Sequence, residues 1–185
     1  MSTESFIIDL QTIVAAQRGD LNAFEKIMSA FERPIFGYLL RLTGRREVAE
    51  DLTQDTFLKC YEHRRELDPE KNLKAWLFTI ATNTAYDWFR RHQRRPELFI
   101  IDDPDNPFET IDPANAYYLI DQEQDVARAL EQLNPVHQSV LLLFYYHDLS
   151  YEEIAHTLRI PLNTAKTHLS RAKQALKKIL DNSYG

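Results

Sequence analysis

Between Ile154 and Leu180 the chain carries six Lys or Arg and no Asp or Glu, although the 185-residue sequence has a formal net charge of -6. On one side of a helix drawn through this run lie Lys166, Thr167, Ser170, Arg171 and Gln174. Their ammonium, guanidinium, hydroxyl and amide groups are donors that reach phosphate oxygens and base edges, and an acid among them would face phosphate. A second set, Asn83, Tyr86, Arg90, Arg91, Arg94 and Arg95, interleaves a ring and an amide with guanidinium groups. That mixture suits unstacked bases, with a core helix whose rings pack on neighbours as the alternative. A third set, Asp51, Gln54, Asp55, Leu58 and Glu62, places a leucine among carboxylates and an amide. Such a leucine is either a stray exposed residue or part of a docking surface whose charges register a partner.

Nothing comparable points to catalysis. The six His, at 63, 92, 137, 147, 156 and 168, show no metal-ligand spacing, and a single Cys60 rules out a cysteine-rich zinc site. No phosphate-binding glycine loop occurs, and the Ser and Asp residues fall at helix caps, where a structural role suffices. The expectation is a chain that is not an enzyme and needs neither metal nor cofactor. Cys60 reads as a small buried hydrophobe. No apolar run approaches the roughly 20 residues that span a bilayer, and the opening MSTESFIIDL lacks a signal pattern. Both point to a cytoplasmic protein without membrane insertion.

The elements that must position these sets are helical. Helical stretches are expected near Asp9 to Gly19, Ala23 to Leu42, Glu47 to Arg65 and Asn72 to Arg94. The third should bury Ala49, Leu52, Thr56, Phe57 and Cys60. The fourth should bury Leu73, Leu77, Ile80, Ala81, Thr84 and Trp88 and expose Phe78, Thr79, Thr82, Asn83, Tyr86 and Arg90. Further on, Asn134 before Pro135 opens an apolar helix. Ser150 with Glu153 forms a capping box for a two-turn helix, Tyr151 to Leu158. After Arg159-Ile160-Pro161-Leu162, Asn163 can cap a final helix with its apolar stripe at Ala165, Leu169, Ala172, Leu176 and Ile179. A short helix, a tight turn and a longer basic helix make a helix-turn-helix, whose second helix enters the major groove.

From Glu97 to Asp125 there are nine acids and no Lys or Arg, with Pro96, Pro104, Pro107 and Pro113 in or beside the first half. The segment 96–125 therefore reads as an acidic flexible linker. It joins a module at 11–95 to one at 126–182, giving an all-α chain of two small helical domains.

Two stretches carry a family resemblance. LSYEEIAHTLRIPLNTAKTHLSRAKQAL resembles region 4 of the extracytoplasmic-function (ECF) class of bacterial sigma-70 RNA polymerase sigma factors, while AEDLTQDTFLKCYEH and KAWLFTIATNTAYDWFRR resemble region 2. The resemblance implies a sigma factor that binds core polymerase, directs promoter-specific initiation and helps melt DNA. Lys166, Thr167, His168, Ser170 and Arg171 would meet the upstream (minus-thirty-five) element, and Asn83, Tyr86, Arg90, Arg91 and Arg94 the downstream (minus-ten) element. Asp51, Gln54, Asp55, Leu58 and Tyr61 would bind the clamp helices of the polymerase's largest subunit, with region 4 on the flap of the second-largest. The loop from His63 to Lys71 would capture a flipped base. An anti-sigma protein, often membrane-bound in this class, is an implied partner that would hold the chain at the membrane. The chain departs from the family in having Arg159 and Asn163 where Gly is usual and His168 where Arg is common. Two rivals stay open on the residues alone: a free-standing helix-turn-helix regulator, and an interaction protein that sequesters partners.

Overall fold

The computed structural model describes residues 8–92 and 123–183, and all regular structure among the described residues is helical. The chain divides into two compact units, one ending at Thr84 and the other beginning at Ala85. Arg94, Arg95 and the linker from 96 to 122 lie outside the described residues.

In the first unit, α1 (Leu10–Gln17) starts at Asp9, whose carboxylate accepts from the Thr12 N–H at 2.8 Å. Gly19, at φ 97°, reverses the chain so that Asp20 can cap α2 (Leu21–Thr43) by accepting from the Ala23 N–H at 2.9 Å. Phe24, Ile27, Phe31, Ile35, Tyr38, Leu39 and Leu42 recur at helical spacing and are all buried. The helix α3 (Arg46–Glu62) buries Ala49, Leu52, Thr56, Phe57 and Cys60, the face its periodicity indicates. Cys60 is wholly buried, and burial pushes its thiol up to about 12, so it stays an unreactive thiol. A single 3-10 turn, Arg64–Glu66, leads toward α4 (Leu73–His92).

The face of α4 is rotated from the one its sequence suggests. Phe78 and Thr82, expected outward, have no exposed surface, and Tyr86 is 8 % exposed. Ile80 and Trp88, expected inward, are only half-buried. The cause is Tyr38 of α2. Its ring meets Phe78 edge-on at 5.3 Å, and its hydroxyl lies 2.8 Å from Thr82 Oγ1. Thr82 donates its only proton to the Phe78 carbonyl at 2.7 Å, so Tyr38 donates to Thr82. A satisfied hydroxyl can be buried at little cost, and the stripe turns to include it.

In the second unit, α5 (Glu123–Glu131) begins inside the segment read as linker. Asn134 caps α6 (Pro135–Leu141) by accepting from the His137 N–H at 2.8 Å, and a π turn, Leu142–Tyr146, continues it. The capping box of Ser150 and Glu153 is closed in both directions, at 2.8 and 3.2 Å, and opens α7 (Tyr151–Leu158). Arg159 ends α7 in the left-handed conformation, φ 56° and ψ 45°, which explains glycine at such a position. The last helix, α8 (Leu162–Ser183), packs against α5, α6 and α7. It begins earlier than the sequence suggests: the Ala165 N–H bonds the Pro161 carbonyl at 3.0 Å. Pro161 is thus the capping residue, and Asn163 sits exposed in the first turn. Ala165, Leu169, Ala172 and Leu176 are buried, while Ile179 is half-buried.

Candidate nucleic-acid and partner interfaces

The helix-turn-helix is fixed at both of its joints, by the capping box ahead of α7 and by the left-handed Arg159 behind it. On α8 the outer surface carries Lys166 and Gln174 exposed, with Thr167 and Arg171 half-exposed. Lys166 Nζ stands 5.8 Å from the centre of the Tyr151 ring, and Tyr151 rests 5.2 Å from Phe144. Tyr151, at the first position of α7, thus lies under the exposed ammonium of α8. Sequence reasoning passed over it because its role depends on a neighbouring helix.

Of the residues expected on this surface, His168 faces inward, whereas Ser170 is half-exposed with its hydroxyl oxygen covered. His168 is 7 % exposed and lies against His137 of α6, ring centres 5.7 Å apart. His168 stands three residues from Ala165 and four from Ala172, within the buried stripe, so packing and not phosphate sets its position. Burial, then His168, then Arg171 lower His137 to about 4, while burial and then Arg171 lower His168. Both rings are therefore neutral near pH 7. Lys173, further along, is 9 % exposed with its ammonium 5.5 Å from the Phe144 ring centre and 5.3 Å from that of Tyr145.

On α4, Asn83 is half-exposed and Arg90 and Arg91 are exposed, with Arg90 paired to Asp87. Tyr86 is turned inward, its hydroxyl donating to Ser139 Oγ at 3.0 Å, and Ser139 in turn donates to the Pro135 carbonyl at 2.7 Å. Trp76 and Ile80 are half-buried on the same side of the helix as Asn83. Trp76, Ile80, Asn83, Asp87 and Arg90 follow each other by three or four residues, a spacing that counted back from Asn83 identifies Trp76.

On α3, Asp51, Gln54, Asp55 and Glu62 are exposed and Leu58 is 59 % exposed among them. Tyr61 differs: it is half-buried, edge-on to Phe24 at 5.2 Å and under the Arg64 guanidinium at 4.3 Å. Among the described residues no cluster of three His, Cys, Asp or Glu could hold a metal, and no helix is long and apolar enough to cross a membrane.

Comparison with known proteins agrees with this geometry. The Sigma-70 region 2 family matches residues 27–95, and the Sigma-70, region 4 family matches residues 123–176. The chain is 33 % identical over 163 residues to the RNA polymerase sigma factor YlaC of Bacillus subtilis, covering 88 % of this chain and 94 % of that one. It is 35 % identical over 145 residues to the ECF RNA polymerase sigma factor SigL of Mycobacterium tuberculosis, covering 77 % and 80 % respectively. Among solved structures it is similar to the sigma factor RpoE of Bartonella quintana, in complex with the anti-sigma factor NepR. The TM-score is 0.66 at 28 % identity, covering 87 % of this chain and 98 % of that chain. The chain belongs to the ECF subfamily of the sigma-70 RNA polymerase sigma factors, proteins of promoter-directed transcription initiation.

Proposed function

We propose that the chain joins core RNA polymerase through α3, reads the upstream promoter element with α8 and opens the downstream element with α4. The single observation that carries this reading is α8, whose outward Lys166, Thr167, Arg171 and Gln174 meet no acid before Asp181, on a helix-turn-helix locked at both joints. On α3, Asp51, Gln54, Asp55 and Leu58 form the surface for the clamp helices of the largest subunit. The region-4 helices take the flap of the second-largest. Asn83, Arg90 and Arg91, with Trp76 as the stacking ring, serve the downstream element, joined by Arg94 from outside the described residues. Tyr86 joins them only if its bond to Ser139 opens. His168 supports α8 from within.

The chain works in the cytoplasm as a regulatory factor and not as an enzyme, and an anti-sigma protein is the partner that restrains it. The test is promoter binding by the purified chain with and without core polymerase. Tight, sequence-selective binding only with core supports the reading. Equal operator binding without core would make the protein a free-standing regulator.

A further inference from the structure

The loop after α3 is held by a part of the chain that lies ahead of the region-2 match, which begins at residue 27. Gln17, the last residue of α1, donates from Nε2 to the Leu67 carbonyl at 2.7 Å. The Leu67 side chain is 2 % exposed, so the loop is pinned at that residue by both backbone and side chain. One turn earlier, Arg64 lies over Gly19: a Cβ on that glycine would stand 3.4 Å from Arg64 Nε. The guanidinium also donates to the Tyr61 carbonyl at 2.8 Å and covers the Tyr61 ring at 4.3 Å. Its Nε is buried without a hydrogen-bond partner, a cost that stability alone gives no reason to keep.

The remaining ties within the loop are weak. His63 pairs with Glu66 at 2.8 Å and Lys71 with Asp68 at 3.4 Å, but these pairs are local and exposed. Glu70, Lys71 and Asn72 stand open to solvent. At its far end Asn72 ties the tip to α4, its side-chain oxygen accepting from the Lys74 N–H at 3.0 Å and the Ala75 N–H at 3.3 Å, so Gln17, Arg64 and Leu67 are what fix the near end of the loop against α1.

We propose that α1 and the Gly19 turn clamp this loop in the shape that takes up a promoter base, with Gln17 and Arg64 as positioning residues for base choice at the downstream element. The proposal rests on the reading that this loop serves that element. Its test uses the full chain with core polymerase and duplex promoters carrying each base at every downstream-element position, scored by open-complex formation. Gln17→Glu keeps the size of the side chain but sets a carboxylate against the Leu67 carbonyl, whereas Gln17→Lys retains a donor. Gln17→Glu is expected to lower discrimination at one position by about tenfold. Core affinity and upstream-element binding should stay at wild-type values, the melting temperature should fall only by the few degrees that one part-buried hydrogen bond accounts for, and Gln17→Lys should restore most of the discrimination. Undiminished discrimination in Gln17→Glu overturns the proposal, as does a loss that follows core affinity and melting temperature together. If the wild-type chain shows no base choice at any downstream position, the functional reading beneath the proposal fails instead, and the proposal with it.

Discussion

Replacing Leu58 by Ala strips three carbons from a side chain that is 59 % exposed on the acidic face of α3. Each CH₂ group newly buried at an interface contributes about 0.8 kcal/mol, so three carbons wholly taken out of water would contribute about 2.4 kcal/mol. Only the 59 % still exposed in the free chain can be newly covered, which reduces the figure to about 1.4 kcal/mol. That is a tenfold rise in Kd for core polymerase. Alanine is the best helix former and the site contributes little to the core, so the thermal midpoint should not fall. Competition binding against a labelled wild-type chain, with thermal denaturation alongside, measures both. Unchanged core affinity would show that Leu58 touches no partner. A lowered midpoint with unchanged affinity would make it part of the fold.

Three further outcomes follow from the second unit. Arg159 holds φ 56° in a conformation that costs a non-glycine residue about 1 to 2 kcal/mol, so Arg159→Gly should raise stability by up to about 1 kcal/mol once the extra freedom of the unfolded glycine is offset, read by chemical denaturation. Arg171→Ala should weaken upstream-element binding by about 1 to 3 kcal/mol on the preferred sequence and much less on others if the guanidinium reads a base, whereas uniform loss across a sequence panel would make it a phosphate contact. His137 is lowered from 6.5 to about 4, so the unfolded chain binds the proton first as pH falls. The stability from the neutral ring is complete above pH 6.5 and is lost as pH falls toward 4. His137→Gln should therefore lose less stability than wild type between pH 7 and 5, and parallel loss in the two chains would contradict this.

Legibility in the sequence follows from how local each cause is. The face of α3 and the capping box at Ser150 are set by residues within a few positions of one another, and each is where the sequence places it. The stripe of α8 is legible for the same reason as far as Leu176, after which Leu180 is buried and the expected Ile179 is only half-buried. The face of α4 is not, because Tyr38, 44 residues away from Thr82, decides which threonine is buried. His168 looks like an outward polar residue until His137 supplies a ring for it to pack against. Tyr86 and Tyr61 mislead similarly: an aromatic at the right spacing reads as an exposed contact, while Ser139, Phe24 and Arg64 engage it. Asn163 fails as a cap because α8 starts at the Pro161 carbonyl.

The central claim is that one chain with core polymerase selects a promoter through two separate elements. Run-off transcription by the purified chain and core polymerase on a randomised promoter library, followed by sequencing of the templates used, measures this directly. The account predicts enrichment of two short motifs at a fixed spacing, with Lys166→Ala weakening only the upstream one and Asn83→Ala only the downstream one. Transcription without motif enrichment, or a single motif that both substitutions weaken alike, would contradict it.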